Sequence, residues 1–435
     1  MIRRSFTAAL AALLLTTSAA DGQTLLTLTD AIDQAWDASS AARLAAAGER
    51  AAVARLARAR AGYLPQVDLA EGWQRGDQPV FVFGALLAQR RFTEANFAVE
   101  ALNHPPAIDN HRASLMVRQL VWDGGSREAA VQEARLGRDL AAVDRERTTD
   151  DLEVQVTALY GAVLAREADA HAAAAAVEAA EADLARARDR RQAGLITEAD
   201  VLALDVHRAR MQERRIEAGL EAEVARMRLN ELIGAPLDRT FLLEPASDPP
   251  AEPGAGSGVT AEGPEVRAAA LQEQIARQAA RVARAAFLPQ VALVGGWEWN
   301  GADFNDRASA WLVGAEVSVN LFRGGADRAR AAEAAAAQDR ARVEREQIER
   351  AMRVAVEEAR ARLEAARARA TVARTSVAQA RESERIVRDR YENGLEDVAA
   401  LLRAAEALVA SEARATSARV DVLVGAAQLR RAMGR

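Results

Sequence analysis

The 435-residue sequence predicts a mainly α protein with a small β part, built as two copies of one half-unit, each with two strands and very long helices. Three observations predict it. The first is internal repetition. Arg60-Ala-Gly-Tyr-Leu-Pro65-Gln-Val is answered by Arg284-Ala-Ala-Phe-Leu-Pro289-Gln-Val. Trp122-Asp-Gly-Gly125 is answered by Phe322-Arg-Gly-Gly325, Ala193-Gly-Leu195 by Asn393-Gly-Leu395, and Ile233-Gly234 by Met433-Gly434, these three pairs lying 200 residues apart. A period this long, present only twice, is a duplication rather than a solenoid array. The second is composition. Half the residues are hydrophobic but only 4% are aromatic, and alanines interspersed with Arg and Glu favour long helices over a core of large side chains. The third is a change of period, from helical to alternating, after each Leu-Pro.

The elements follow in order. Arg3 and Arg4 precede an apolar run from Ala8 to Leu15 and a small-residue site at Ser18-Ala19-Ala20, the pattern of an export signal over residues 1–20. Residues 21–234 then form the first repeat, 235–263 a Pro/Gly-rich link and 264–435 the second repeat. Helix one is expected from near Thr29 to Arg60, with Ile32, Trp36, Leu44 and Leu56 on a sparse apolar stripe. Its counterpart begins at Pro264, a good first-turn residue, and runs to about Ala286. Both stop at Leu-Pro, because proline disfavours helix in the residue before it.

Beyond each proline come strands of alternating character. Val291, Leu293, Trp297 and Trp299 share one face against Gly296, Glu298 and Asn300. Trp311, Val313, Val317, Val319 and Leu321 share one face against Glu316, Ser318 and Asn320. The first-half pair spans residues 66–75 and 111–121. Aromatic rings collect at the headgroup level of a membrane, so Trp73, Trp122, Trp297, Trp299, Trp311 and Phe322 are candidate membrane-interface residues.

Gly124-Gly125 and Gly324-Gly325 release the chain into helices without proline. The first of them, from Ser126 to Arg190, would be roughly 100 Å long. Leu152, Val156, Leu159 and Val163 make a narrow coiled-coil seam, and Leu220, Val224 and Met227 repeat it on the next helix. The shorter helices, of ~50 and ~55 Å by the same rise, would stack end to end beside the long one. The link then falls at mid-height. At the far end Gly194 closes one helix and Thr197-Glu-Ala-Asp200 is a capping box opening the next. In the second copy Asp397 is a good cap, but Ala400 replaces the acidic partner.

Charge and chemistry exclude several classes. The net charge is −6, with no lysine and with signs interspersed, so nucleic acid is not expected. Arg186, Arg188, Arg190 and Arg191 read as solvated helix faces. The absence of cysteine excludes disulfides and thiol catalysis. The four histidines (His104, His111, His171, His207) have no metal-ligand spacing, and carboxylates on helix faces pair with Arg at i,i+4. No catalytic residue, cofactor or metal is expected. Four strands cannot close a transmembrane barrel, which needs at least about eight, and an open edge is not viable in lipid. Several chains must therefore pool their strands.

The ordered set of motifs resembles the TolC-like outer-membrane efflux proteins over essentially the whole mature length. The set comprises both Leu-Pro-Gln segments, both Gly-Gly strand exits, Arg190-x-x-x-Gly194-Leu195-x-Thr197-x-x-Asp200-Val-Leu202 and Arg390-Tyr-x-x-Gly394-Leu395. The stretch from Phe81 to Pro105 resembles a surface-loop insertion that some members carry. The resemblance implies a homotrimer in the outer membrane, with a β-barrel continuing into a helical periplasmic tunnel that closes at its tip. It implies partners as well, namely outer-membrane lipid, a periplasmic membrane-fusion adaptor and an inner-membrane pump of RND or ABC type, in tripartite efflux or type I secretion. Arg190, Gly194, Leu195, Thr197, Asp200, Arg390, Gly394 and Leu395 would form the adaptor-facing tip, and Asp389 and Glu392 are pore-gate candidates. A periplasmic coiled-coil protein that never enters the membrane is the alternative, and an enzyme is a distant third.

Overall fold

The computed structural model describes residues 24–244 and 263–434. The expected export signal and residues 245–262 of the link lie outside the described residues. Duplication is visible in the element lengths. Helices α2 (Ser40–Ala61) and α7 (Pro264–Ala285) each have 22 residues. Helices α5 (Ser126–Gln192) and α8 (Ala326–Glu392) each have 67. Helices α6 (Glu198–Leu232) and α9 (Val398–Met433) have 35 and 36.

The described residues fall into two compact units. Within the described residues the helical unit draws on 24–39, 151–244 and 359–429. Its core joins α1 (Leu28–Ala38) to α5 and α6 through Ala31, Ala35, Val156, Val163 and Leu229, each at most 1% exposed. Against this core lies a parallel pair of short strands, β1 (Thr24–Leu26) and β4 (Phe241–Leu243). The hydroxyl of Tyr160, fully buried, sits 2.8 Å from the carbonyl oxygens of both Leu26 and Glu244. It therefore ties the chain entering α1 to the chain leaving α6. Burial pushes its pKa up to about 12, so it stays a donor.

The expected single first helix is in fact two. Ser39 adopts an extended conformation (φ −62°, ψ 128°) and separates α1 from α2. The Ser39-Ser40 pair offers side chains that compete with helical backbone bonds, a local effect too small to read against the continuous alanine pattern. The seam expected on α6 also differs. Leu220 is 59% exposed, and the buried stripe runs through Ala222, Ala225 and Leu229. Small side chains let neighbouring helices approach, so contact follows alanine instead of the larger residues.

The sheet unit draws on 40–150, 263–358 and 430–434. It carries one antiparallel sheet of β2 (Gln66–Gly76), β3 (Ile108–Trp122), β5 (Gln290–Gly301) and β6 (Ala308–Ser318), in the order β2-β3-β5-β6. The last strand is shorter than expected. Val319 and Leu321 lie past its end, at 46% and 91% exposed. Between β2 and β3 the chain forms α3 (Pro79–Ala88), a 3-10 turn (Glu94–Phe97) and α4 (Val99–Asn103), where the sequence suggested only a loop.

Candidate functional site

Two regions bear on function, one in each unit. In the helical unit these are the α5–α6 and α8–α9 turns. Gly194 and Gly394 sit in the left-handed region at φ 75° and 73°. The Leu195 amide donates to the Arg190 carbonyl at 2.9 Å and the Gly194 amide to Arg191 at 2.9 Å. Leu395 and Gly394 repeat this on Arg390 and Tyr391 at 2.8 and 3.0 Å. Each is the paired closure that needs glycine at its bend. Thr197 and Asp200 form the expected reciprocal cap: the Thr197 amide donates to the Asp200 carboxylate at 2.9 Å, and the Asp200 amide to the Thr197 hydroxyl at 3.3 Å. The Ala400 amide donates to the Asp397 carboxylate at 2.7 Å, half of the same device.

The turns stand together on a shared core of Leu184, Ala187, Leu204, Tyr391, Val398 and Leu401. Arg190 joins them. Its guanidinium donates to the carbonyls of Tyr391 (3.0 Å) and Glu392 (3.1 Å), acceptors in the last turn of α8. It also lies 5.2 Å from the centre of the Tyr391 ring. Arg390 instead pairs with Glu396 in its own turn at 3.3 Å. Asp389 is exposed, and the half-exposed Glu392 carboxylate comes within 4.0 Å of Arg186. Leu195 and Leu395 project outward at 69% and 67% exposure.

One cluster was not foreseen. Arg388 reaches Asp183 on the other long helix at 2.6 Å and Glu384 on its own at 2.6 Å, and Asp183 also takes Arg186. Asp183 and Glu384 are 11% and 15% exposed. Burial opposes the Arg388 charge, but the bonds to Glu384 and Asp183 outweigh it and raise its pKa. The partners lie 205 residues apart, so only the Glu384–Arg388 half had a local signal. Beside them His207 and Met211 line a cavity of about 240 Å³. Among the described residues no group of three or more His, Asp or Glu could hold a metal ion.

The second region is the sheet. Its rungs assign every side chain to one of two faces. Val67, Leu69, Leu115, Val117, Val291, Leu293, Val313 and Val317 share the apolar face. The opposite face carries Asp68, Asn110, Arg112, Arg118, Glu298, Asn300 and Glu316, with Arg112 on Glu298 at 2.9 Å and Arg118 on Glu316 at 3.4 Å. Trp311, Val313 and Val317 on the apolar face are 70%, 76% and 68% exposed. Trp73, Trp297, Trp299 and Trp311 lie toward one end of that face, Trp297 and Trp299 with stacked rings. Trp122 lies at the other end. Simple alternation would put Trp122 on the polar face, but a bulge after Leu120 pairs it with Val291. The extra residue shifts the side-chain phase. Phe322 lies just beyond β6, 82% exposed.

Comparisons accord with this geometry. Residues 257–435 match the family model described as outer membrane efflux protein. The fold matches the Campylobacter jejuni CmeC outer membrane channel with a TM-score of 0.81 at 16% identity, over 94% of this chain and 85% of that one. It matches the outer membrane protein VceC of Vibrio cholerae at 0.77 and 18%, over 94% and 96%. For the open state of the Neisseria gonorrhoeae MtrE outer membrane channel the values are 0.74 and 20%, over 94% and 88%. No curated protein matches by sequence. The likeness to solved channels is one of fold.

Proposed function

We propose that this chain, with the fold of the outer-membrane channels, is the outer-membrane exit duct of an efflux or secretion pump. The two-faced sheet carries the reading. Its apolar face is bare and ringed by tryptophans, its opposite face is charged, and both edge strands, β2 and β6, are free in the single chain. In water the bare face would forfeit roughly 1.5–3 kcal/mol for each large apolar side chain. In lipid it is at home, provided the edges close, since unpaired backbone groups there cost several kcal/mol each. Three copies pooling their strands meet both demands. A purely periplasmic coiled coil would leave Trp311 and Val313 facing water.

The hairpin turns are the end that docks a periplasmic adaptor, with Leu195 and Leu395 as apolar anchors and Arg190 holding the two turns in register. An inner-membrane pump of RND or ABC type supplies the energy, so the duct itself catalyses nothing. To test the docking, single cysteines placed at positions 195 and 395 carry a photo-crosslinker in cells. Capture of a periplasmic adaptor supports the reading. Outer-membrane trimers that capture nothing from either position overturn it.

A further inference from the structure

The α3 insertion has no role in a plain duct, yet it is built with care. Its ten residues, Pro79 to Ala88, contain no charge. Val82, Ala85 and Gln89 are buried against the sheet, at 3%, 5% and 6% exposure. The side that meets the sheet is the polar face. The Gln89 amide donates to the Asn110 side chain at 2.9 Å, and Asn110 in turn donates to Asn300 at 3.0 Å. Both asparagines are buried, at 6% and 3% exposure.

A second tether follows at once. Arg90 is the one non-glycine with positive φ among the described residues, at 56°. Glycine would make this bend without strain, at a saving of roughly 1–2 kcal/mol. Arginine is there because its guanidinium donates to the Ser309 carbonyl of β6 at 2.9 Å. The insertion is therefore pinned across the polar face from β3 to β6.

Its outward side is a stripe of Val80 (87% exposed), Phe83 (36%, its ring edge-on to Phe92 at 4.9 Å) and Leu87 (49%), with the exposed Gly84 between them. This spacing gives one apolar helix face, and the glycine permits close approach of another backbone. If the polar face lines the inside of a pooled barrel, the stripe points into the lumen and not to lipid. There the surfaces that recur opposite it are the same stripes of the other copies.

We propose that α3 is an outer plug: the α3 helices of the assembled copies meet through Val80, Phe83 and Leu87 and narrow the mouth of the duct. The occupant of the stripe is a second copy of this chain. This rests on the barrel reading, and the test separates the two.

The chain has no cysteine, so single cysteines report cleanly in the full-length protein in native membranes. Val80→Cys is oxidised with copper phenanthroline. Ser114→Cys on the polar face and Val313→Cys on the apolar face are offered an impermeant maleimide-polyethylene glycol from outside the cell. The proposal expects linked dimers at position 80, protection of position 114, and loss of that protection when Leu87→Glu is added. Monomers only at position 80, with position 114 freely labelled and position 313 not, overturn the plug and leave the barrel standing. Free labelling of position 313 overturns the barrel reading itself, and the plug with it.

Discussion

At the residue scale the tip is held by two cross-hairpin arginines, Arg190 and Arg388, and the second carries a prediction. Arg388 lies between a partly buried and a surface ion pair in character. Removing it takes the cross-helix partner from Asp183, which keeps only Arg186, and the arginine from Glu384, a loss of about 2–3 kcal/mol, between the surface and buried limits. Arg388→Ala is expected to lower the thermal midpoint and raise single-channel conductance in planar bilayers, as the long helices lose their bond. An unchanged conductance would refute the idea that this pair restrains the tip. His207 predicts a pH dependence. Burial lowers its pKa first and foremost, and Arg210 adds to this, while Glu406 and Asp183 oppose. The folded state therefore binds this proton less readily than the unfolded chain, whose histidine titrates near 6.5. Stability from this group is complete above about pH 6.5 and is lost as pH falls below it toward the depressed folded value. His207→Gln should flatten that part of the decline in thermal midpoint between neutral and mildly acid pH. The turn glycines, the Thr197 cap and the exposed leucines were legible in the sequence, because each is a local signal. Asp183 was not, since its partner comes from the other repeat.

At the scale of elements, the strands and long helices were readable because their periods persist over many residues. The three-residue strands β1 and β4 had no such length to read. Tyr160 reaches the carbonyls of Leu26 in β1 and of Glu244 just past β4, two distant segments. Tyr160→Phe removes the hydroxyl shared by both carbonyls, leaving that of Leu26 with the Glu244 amide alone, and should cost about 1–3 kcal/mol. Hydrogen exchange in β1 and β4 should quicken while the long helices keep their protection. Equal loosening of both would mean that the tyrosine serves the general core and not this junction. The insertion between β2 and β3 was visible as a segment. Its place on the polar face was not, because that depends on Gln89 meeting Asn110 across the sheet.

At the scale of the whole molecule, the sheet sets a different condition from the helices. Helices satisfy their own backbone, whereas β2 and β6 each leave one edge unpaired within the chain. The two faces therefore predict opposite responses to the same charge. Arg in place of Val313 puts a guanidinium on the apolar face, and near the bilayer midplane this costs roughly 2–4 kcal/mol per chain. The cost is multiplied by every copy that contributes to one barrel, so heat-modifiable oligomers of Val313→Arg should disappear from the outer-membrane fraction. Ser114→Arg puts the same group on the polar face beside Glu298. It should leave the oligomer intact and shift ion selectivity toward anions. Loss of the oligomer in both variants would mean that the faces are not divided between lipid and lumen. Intact oligomers in both would mean that the sheet does not sit in lipid at all.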